Sequence, residues 1–280
     1  MTDTAPALES WVGRTETAED TLDLRPARLM QSILPHGAPL QTGDVLPPLW
    51  NWLYFHQPAP LDQLGRDGHP KKGGFLPPVD LPRRMWAGGR FEFPGDLRIG
   101  EAVQKRSEIL KVAQKEGRSG RLCFVTVEHR YLQGGETLWR EEHDIVYRED
   151  PAPGQPKPAP APAPEMFTEQ EVVQPSIVML FRYSALTFNG HRIHYDRPYC
   201  REVEGYPDLV FHGPLTATFL ADFSRRKSEG RMESFSFRAM SPLFDTADFG
   251  IYLSRNDGLT EAWACTPEGH LAMKAEARFS

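Results

Sequence analysis

The sequence predicts an α+β protein built from two units, each with a helix packed on an antiparallel sheet. A segment of alternating Ala and Pro at 149–165 divides the chain into residues 1–148 and 166–280. Each half contains a stretch with helical spacing and strand-like segments joined by turn signals. A sheet needs a cover for its apolar face, and one helix in each unit supplies it. Two such units can pair edge to edge, which removes exposed edge strands.

The N-terminal unit is predicted to begin with a short helix and to end in a hairpin. RPARLMQSIL (25–34) has helical spacing, and its proline stands near the start, where a missing N–H is tolerated. RLCFVTVEHRYL (121–132) and ETLWREEHDIVYRE (136–149) are strand-like and flank Gly134-Gly135, a hairpin signal. The region between the helix and the hairpin is rich in Gly and Pro. This half is therefore interpreted as an elaborated copy of the second unit.

The segment at 149–165 is expected to be an extended, polyproline-like linker, because alternating Ala and Pro forms neither a helix nor a central strand. A proline-rich ligand for a partner protein is the alternative interpretation. The position of the segment between two structured halves favours the linker.

The C-terminal unit is predicted to run strand, loop, helix and then an antiparallel meander. SIVMLFRYSALTF (176–188) is an apolar run that we interpret as a strand. HGPLTATFLADFSRRKSEG (212–230) has the strongest helical signal in the chain, because its apolar residues recur at four-residue spacing. Four strands follow at MESFSFRAM, FGIYLSR, LTEAWACT and HLAMKAEARF, with a hairpin turn predicted at Asn256-Asp257-Gly258.

The composition bounds the kinds of partner that the protein can have. The hydrophobic fraction of 40% is typical of a globular protein. The formal net charge of −6 disfavours a nucleic acid partner, because binding to phosphates needs a basic surface. No apolar run approaches the roughly 20 residues that a membrane span needs. Three widely spaced cysteines, Cys123, Cys200 and Cys265, indicate reduced thiols. Because the N-terminus also has no secretory signal, we expect a cytoplasmic protein.

The segment with the most titratable side chains is FNGHRIHYD, residues 188–196, where His191 and His194 stand three positions apart. Three interpretations are open: a catalytic cluster, a metal site, or a loop that is rich in histidine. An imidazole titrates near neutral pH, so both histidines suit acid–base chemistry. A zinc site is disfavoured, because no H-E-x-x-H motif is present and no cysteine pair is near. We therefore predict no metal site.

This segment and the helix start after it resemble a known family. The stretch at 189–196, followed by HGPL (212–215), is similar to the MaoC-like, hot-dog-fold enoyl-thioester hydratases and dehydratases. The closer resemblance is to the branch of type 2 hydroxyacyl-thioester dehydratases and of mesaconyl-CoA and itaconyl-CoA hydratases. It implies a double hot-dog, in which two antiparallel sheets each wrap round a helix and the second unit carries the catalytic segment. It also implies a homodimer and an acyl-CoA substrate, whose CoA is the only cofactor-like group.

One departure from the family's motif concerns an acid. In the better-known branch the motif reads Asp-x-Asn-Pro-x-His, and its His matches His194. The Asp position holds Asn189, and the Asn and Pro positions hold His191 and Arg192. An amide cannot act as a general base at neutral pH, although it can orient a water or a histidine. The resemblance therefore implies a catalytic His194, keeps Asn189 and His191 as candidates beside it, and leaves open which group replaces the acid.

Hydration of a C=C bond conjugated to a thioester needs a base, an acid and donors for the thioester oxygen. His194 is the predicted base that activates water. His194 itself, the bound water or Asp196 is the predicted acid, and Asp196 could alternatively cap a short helix at 197–203. The N–H of Gly213 at a helix N-terminus is the predicted donor, because glycine permits close approach and Pro214 has no N–H.

Several basic residues are candidates for binding the CoA phosphates or a substrate carboxylate, which a guanidinium can bind through two hydrogen bonds. Solvated loops are the simpler interpretation of the patches at HPKKGG and LPRRMWAGGRFEF. His212 is predicted either to cap the following helix or to face the substrate. The predicted substrate-binding residues are His212, Arg192, Arg182, Arg84 and Arg90.

The predicted function is that of a lyase that reversibly adds water to a 2-enoyl-CoA thioester. The resemblance favours mesaconyl-CoA or itaconyl-CoA, with citramalyl-CoA as the product, while the spacing of the residues selects no acyl group. Three alternatives are an acyl-CoA thioesterase of the hot-dog class, a 3-hydroxyacyl-thioester dehydratase of fatty acid metabolism, and a non-catalytic acyl-binding subunit. The missing acid at Asn189 motivates the last of these.

Overall fold

The structure, a computed structural model, describes residues 7–34, 37–117, 120–150, 159–256 and 258–280. The strands are β1 (Thr15–Thr21), β2 (Arg83–Glu92), β3 (Ala102–Gly117), β4 (Gly120–Gln133), β5 (Glu136–Arg148), β6 (Glu169–Val173), β7 (Met232–Ala239), β8 (Phe249–Asn256), β9 (Leu259–Cys265) and β10 (Leu271–Phe279). The α-helices are α1 (Leu24–Gln31), α2 (Ile177–Leu186), α3 (Arg197–Tyr199) and α4 (Gly213–Lys227). Short 3-10 helices lie at Leu8–Trp11, Trp50–Leu53, Leu61–Gln63 and Arg192–His194, and a π-helical turn at Cys200–Glu204.

All ten strands form one antiparallel sheet in the order β1-β3-β4-β5-β2-β7-β10-β9-β8-β6. The first five strands of this order come from the N-terminal half of the chain and the last five from the C-terminal half. The two units therefore pair edge to edge, as the sequence predicted. Among the described strands, β1 and β6 are the two edges of this sheet.

The junction between the units is the pairing of β2 with β7, in which Phe91 lies opposite Phe235 and Gly88 opposite Arg238. The backbones approach closely here. A Cβ placed on Gly88 would lie 2.5 Å from the carbonyl oxygen of Phe237. Position 88 therefore requires glycine, because the junction leaves no room for a side chain.

Most of the predicted elements are confirmed by the structure. The helix predicted at 212–230 is α4, the helix predicted at 25–34 is α1, and the N-terminal hairpin is formed by β4 and β5. The four C-terminal strands are β7 to β10. The hairpin turn predicted at 256–258 includes residue 257, which lies outside the described residues.

The strand predicted at 176–188 is wrong, because this segment is the helix α2. The hydroxyl of Ser176 caps the helix by accepting a hydrogen bond from the N–H of Met179, at 3.1 Å. One side of the helix buries Leu180, Tyr183 and Ser184, at the spacing of successive helical turns. The other side of the helix is exposed: Phe181 is 66% exposed although it belongs to the apolar run.

Three strands of the N-terminal unit, β1, β2 and β3, were not predicted from the sequence. β3 is 16 residues long and carries many charged side chains, so it has no obvious apolar run. Val103, Ser107 and Ile109 are buried at alternate positions of the strand, and a register shift after Ile109 moves the next buried residue to Val112. Because one side of the strand faces solvent, its sequence has no continuous apolar run and its strand signal is weak.

The two units cover their sheets differently. α4 has 15 residues and packs on β7, β9 and β10, with Leu215, Leu220 and Phe223 fully buried. α1 has only eight residues and packs against α2 and the 3-10 helix at Trp50–Leu53. In the N-terminal unit a long connection between α1 and β2 also packs on the sheet, through Val79 and Leu81. This connection carries the second part of the site described below.

The predicted linker at 149–165 lies largely outside the described residues, so its spacer conformation and the unit boundaries stay predictions. Its C-terminal part is described: the carbonyl of Ala161 accepts a hydrogen bond from the N–H of Leu271, and Ala163 packs near Trp263. This end of the segment is therefore attached to the C-terminal unit.

The three cysteines at 123, 200 and 265 are free and buried, in agreement with the prediction of reduced thiols. Among the helices in the described parts of the chain, none is both long and apolar enough to span a membrane.

Candidate active site

His194 lies in the 3-10 helix at Arg192–His194 and is only 6% exposed. Its Nδ1 is 2.7 Å from the carbonyl oxygen of Val210. A carbonyl can only accept, so Nδ1–H is the donor and Nε2 carries the lone pair. Burial lowers the pKa of His194 to about 4, although the hydrogen bond to Val210 acts in the opposite direction. His194 is therefore a neutral imidazole with a fixed ring and an Nε2 that can accept a proton.

His212 supports the ring of His194 from one side. The two rings stack with their centroids 3.6 Å apart and their planes 18° apart. The Nε2 of His212 is 2.8 Å from the hydroxyl of Ser184, and its side chain makes no capping hydrogen bond to α4. Burial, together with the neighbouring histidines, holds the pKa of His212 well below its usual value. Two neutral imidazoles can stack without repulsion.

The N-terminus of α4 begins at Gly213, with Pro214 in its first turn. A Cβ placed on Gly213 would meet no atom within 4 Å, so open space adjoins this part of the helix. The first N–H groups of a helix have no partner within the helix and carry a partial positive charge. The predicted oxyanion donor therefore follows directly after His212, the residue stacked on His194. Its role as a donor stays a prediction.

Asn189 and His191 shape the segment at 188–196. The side-chain oxygen of Asn189 accepts a hydrogen bond from the N–H of His191, at 3.0 Å. The amide that replaces the family's acid is thus used to hold a turn. The ring of His191 lies 5.5 Å from that of His194, nearly perpendicular to it. Burial and then the nearby histidines lower the pKa of His191, so this ring is also neutral near pH 7.

Two residues that the sequence analysis did not single out, Asp67 and His69, adjoin this segment from the other unit. The ring centroids of His69 and His191 are 4.3 Å apart, and the Nδ1 of His69 is 2.9 Å from a carboxylate oxygen of Asp67. The four imidazoles of His69, His191, His194 and His212 form one consecutive row. The only sequence signal was the Asp-Gly-His spacing, which is too short to stand out.

The loop with Asp67 is docked on the catalytic segment by its backbone. The N–H of Arg192 donates to the carbonyl oxygen of Asp67 at 2.9 Å, and the Arg192 guanidinium donates to the carbonyl oxygen of Arg66. Gly68 has a φ of +88°, and a Cβ on it would overlap the carbonyl oxygen of Gly190. Glycine is required at position 68 by both its conformation and this close approach.

The charge state of the pair follows from burial and from the hydrogen bond between its members. Burial alone would raise the pKa of Asp67, but the hydrogen bond to His69 and the nearby imidazoles lower it overall. Burial lowers the pKa of His69, while Asp67 opposes that shift in part. The pair is therefore an ionised carboxylate that accepts a hydrogen bond from a neutral imidazole.

One group among the described residues has the ligand types of a metal site. Ligand-type atoms of Asp67, His69 and His191 all lie within 4.8 Å of one another. A carboxylate and two imidazoles suit zinc or a similar divalent cation. However, Asp67 and His69 are hydrogen-bonded to each other, which directs the Nδ1–H toward the carboxylate rather than toward a shared ion. The absence of a metal site stays a prediction.

A basic cavity of about 370 Å³ adjoins His69. Arg84 on β2 is half-buried in the wall of this cavity, and the more exposed Lys72 also lines it. The ammonium of Lys72 is held by the carbonyl oxygens of Val79 and Leu81. The cavity places positive charge beside the row of imidazoles, where a phosphate or carboxylate could bind. Its wall is formed by Gly65, Arg66, Asp67, His69, Pro70, Lys71, Lys72, Pro82 and Arg84.

The structure does not bring the other predicted residues to this cavity. Arg90 forms ion pairs with Glu142 and Asp144 and is about half exposed. Arg182 lies on α2 and is exposed. Neither residue lines the basic cavity.

Asp196 and Arg192 bind to each other in an ion pair of 2.7 Å. Asp196 also caps α3 by accepting a hydrogen bond from the N–H of Tyr199, at 3.0 Å. The capping alternative for Asp196 is thus observed, and both of its carboxylate oxygens have partners. An acid role for Asp196 and a substrate-binding role for Arg192 stay predictions.

The fold defines the class of the protein first. A solved MaoC-like dehydratase superposes with a TM-score of 0.71 at 17% identity, covering 98% of this chain and 100% of that one. A Mycobacterium tuberculosis protein described as having a double hot-dog fold superposes with a TM-score of 0.58 at 13% identity, covering 95% of each chain. At such low identity these structures show the fold alone, which is the predicted double hot-dog of the MaoC-like class.

The sequence comparisons then give the family. The model of the hydroxyacyl-thioester dehydratase type 2 family matches residues 49–245, and the chain belongs to this family. It is 46% identical over 270 residues to the mesaconyl-C(4)-CoA hydratase of Chloroflexus aurantiacus, covering 95% of both proteins. It is 27% identical over 240 residues to the mitochondrial type 2 hydroxyacyl-thioester dehydratase of Schizosaccharomyces pombe, covering 76% of this chain and 79% of that protein.

Proposed function

We propose that the protein is a hydro-lyase that reversibly adds water to mesaconyl-CoA, with citramalyl-CoA as the product. The observation that carries this proposal is the buried His194, whose Nδ1–H is fixed on a carbonyl and whose Nε2 is left as a proton acceptor. Family membership supports a hydratase or dehydratase. The 46% identity to a mesaconyl-C(4)-CoA hydratase over nearly the whole chain supports the acyl group.

The proposed reaction begins when the Nε2 of His194 takes a proton from water. The water oxygen then bonds to the β-carbon, and the electron pair of the C=C bond moves toward the α-carbon and the thioester oxygen. The N–H of Gly213 stabilises the negative charge on that oxygen. A proton added to the α-carbon completes the hydration, so that OH and H from one water are gained. CoA takes part only as a portion of the substrate.

The basic cavity suits an acyl group that carries its own charge. A mesaconyl thioester has a free carboxylate, which crotonyl-CoA lacks. Arg84 is half-buried in the cavity wall and can bind a carboxylate through two hydrogen bonds. We assign the carboxylate to Arg84, and the CoA phosphates to the more exposed Lys71 at the rim.

Mass spectrometry of purified protein with mesaconyl-CoA, itaconyl-CoA and crotonyl-CoA tests this proposal. We expect mesaconyl-CoA to gain one water with the highest kcat/KM. Arg84→Ala is expected to lower kcat/KM for mesaconyl-CoA and to leave that for crotonyl-CoA nearly unchanged. A preference for crotonyl-CoA would instead support a 3-hydroxyacyl-thioester dehydratase, to which the family's description also points.

Two further outcomes would contradict a hydro-lyase. Release of free thiol without water addition would identify a thioesterase. Binding of acyl-CoA without turnover of any enoyl-CoA would identify an acyl-binding subunit. The homodimer and the cytoplasmic location stay predictions; light scattering of the purified protein and fractionation of cells that express it test them.

A further inference from the structure

We propose that Asp67 and His69, in the N-terminal unit, supply the second proton-transfer group of the reaction. His69 is the catalytic acid that gives the α-carbon its proton in hydration, and Asp67 is the positioning residue that holds the His69 ring. This inference rests on the proposed hydration reaction. It answers the question raised by Asn189, since the catalytic segment itself lacks the family's carboxylate.

The first step of the argument is that Asn189 is engaged elsewhere. Its side-chain oxygen accepts the N–H of His191, so it serves the turn of the segment. Asp196, the other acidic residue of the segment, has its carboxylate held by the Arg192 guanidinium and by the N–H of Tyr199. Neither residue is free to exchange a proton with a substrate.

The second step is that the Asp67–His69 pair is built into the site. A carboxylate oxygen of Asp67 accepts the Nδ1–H of His69 at 2.9 Å, and its other oxygen accepts the backbone N–H of His69 at 3.1 Å. Both groups line the basic cavity. A carboxylate bonded to one ring nitrogen fixes the tautomer and stabilises the imidazolium that forms when the other nitrogen gains a proton. His69 can therefore act as a proton carrier.

The third step is the position of His69 relative to His194. The rings of His69 and His191 are 4.3 Å apart, and those of His191 and His194 are 5.5 Å apart. His191 thus lies between the base that activates water and the proposed acid. The docked backbone of residues 66–68 fixes this distance. An acid and a base on two adjacent carbons need a fixed separation of this kind.

The proton balance closes over one turnover. In hydration neutral His194 takes a proton from water and OH bonds to the β-carbon, while negative charge collects on the thioester oxygen. The proton passes from His194 through His191 to the Nε2 of His69, whose imidazolium is stabilised by Asp67, and His69 then gives it to the α-carbon, so that all three imidazoles end neutral. In the reverse direction neutral His69 takes the α-proton, which passes back through His191 to His194 and leaves with the hydroxide as water. No other reactant is required.

Variants of the pair test the proposal in the full-length protein with mesaconyl-CoA. His69→Gln is expected to lower kcat about 10²- to 10⁴-fold, the usual contribution of a general acid, with KM changed much less. Asp67→Asn is expected to lower kcat by a smaller factor. The matched control is Asp62→Asn, which removes one carboxylate from an exposed position of the same connection and should keep wild-type kcat and KM.

Rescue separates a chemical role from a structural one. His69→Ala opens space beside the cavity, and added imidazole is expected to restore at least tenfold of the lost kcat, without changing the thermal unfolding midpoint. A residue that only positions the loop would not respond to imidazole. His69→Gln activity within about threefold of wild type, or a loss that imidazole does not reverse, would overturn the proposal.

Two results would assign these residues or the reaction differently. Activity that is abolished by a chelator and restored by zinc would make Asp67, His69 and His191 a metal site and overturn the acid role. Absence of water addition to any enoyl-CoA by the wild-type protein would instead contradict the proposed function. The first result requires an active wild-type protein, whereas the second is an inactive wild-type protein, so the two failures are distinguishable.

Discussion

Each unit contributes five strands to the one sheet, but the two units differ in what covers their strands. In the C-terminal unit the 15-residue α4 lies over small side chains, such as Ala262, Ala264, Ala275 and Ala277, all of which are buried. In the N-terminal unit the eight-residue α1 covers less of the sheet. The N-terminal strands instead contribute large polar side chains beneath a long connection. The N-terminal unit therefore has a buried polar network in addition to the apolar cluster around Val79 and Leu81.

The polar interior of the N-terminal unit is centred on Glu141. Its carboxylate accepts hydrogen bonds from the indole of Trp52 at 2.9 Å, the amide of Asn51 at 3.0 Å and the hydroxyl of Tyr131 at 2.8 Å. Burial raises the pKa of Glu141, although these donors oppose the shift. Such a network costs more to assemble than an apolar core, but it fixes the connection that carries Asp67 and His69.

The comparison teaches that one layout supports two roles. In our proposal the C-terminal unit supplies the base His194, which is stacked on His212, and the N-terminus of α4. The N-terminal unit supplies the cavity wall, and in our proposal the acid. Variants in each unit test this division.

The largest effect is expected from His194→Ala. Loss of the base should lower kcat with mesaconyl-CoA about 10³- to 10⁴-fold, since water is then no longer activated. The matched variant in the other unit is His129→Gln, whose Nδ1 lies 2.8 Å from the hydroxyl of Ser107. It should keep kcat within about threefold of wild type. Equal losses in steady-state kinetics would contradict the division of roles.

The next largest effect concerns stability. Glu141→Ala leaves three buried donors without their acceptor and should lower the free energy of unfolding by about 3 kcal/mol. Ser224→Ala is the counterpart in the other unit, where the fully buried hydroxyl donates to the Leu220 carbonyl within α4. It should cost less than about 1 kcal/mol, because that carbonyl is also an acceptor of the helix. Urea denaturation measures both; equal costs would show that the two interiors do not differ energetically.

Gly88→Ala tests the junction between the units. The added Cβ would press on the Phe237 carbonyl, so the pairing of β2 with β7 must shift. We expect the free energy of unfolding to fall by about 1–3 kcal/mol, with a single transition if the units unfold together. The control is Ser234→Ala on β7. Gly258→Ala does not serve as a control, because Gly258 has a φ of +80° and alanine would be strained there. An unchanged midpoint for Gly88→Ala would show that the junction adapts without cost.

The smallest effect is expected from pH. With the pKa of His194 at about 4, the base is still mostly neutral at pH 5. The kcat/KM should therefore change by less than about twofold between pH 7 and pH 5 on account of this group, whereas an unperturbed histidine would lose about 25-fold. A plot of kcat/KM against pH with a limb near pH 6.5 would contradict the buried, neutral base.

The same histidine makes folding sensitive to acid in a defined direction. The folded-state pKa of His194 is below its unfolded value, so the unfolded state binds more protons as pH falls. Its contribution to stability is fully present above about pH 6.5 and is lost as pH falls toward 4. His143 in the other unit, with its pKa lowered to about 3 by burial, acts in the same direction. Acid unfolding is thus expected to be a property of both units.

Local sequence was sufficient for some elements and misleading for others. It predicted α4 from helical spacing and Pro214, because those signals act within one element. It failed at α2, where the apolar run at 176–188 was interpreted as a strand, but the Ser176 cap and the burial of one helix side stabilise a helix. Propensity is a weak preference that tertiary packing overrides.

By itself the sequence determined the family and the hot-dog fold class, since the motif that carries them is formed by residues close together in the chain, and it made His194 the predicted base. Only the tertiary structure brought Asp67 and His69 to His191, stacked His212 on His194 and placed Arg84 rather than Arg90 in the basic cavity. The first of these contacts depends on how the long connection of the N-terminal unit docks, at residues 66–68, on the segment at 188–196 of the other unit. The physical reason is that the free energy of such docking is spread over many distant backbone and side-chain contacts, so no short stretch of sequence records it.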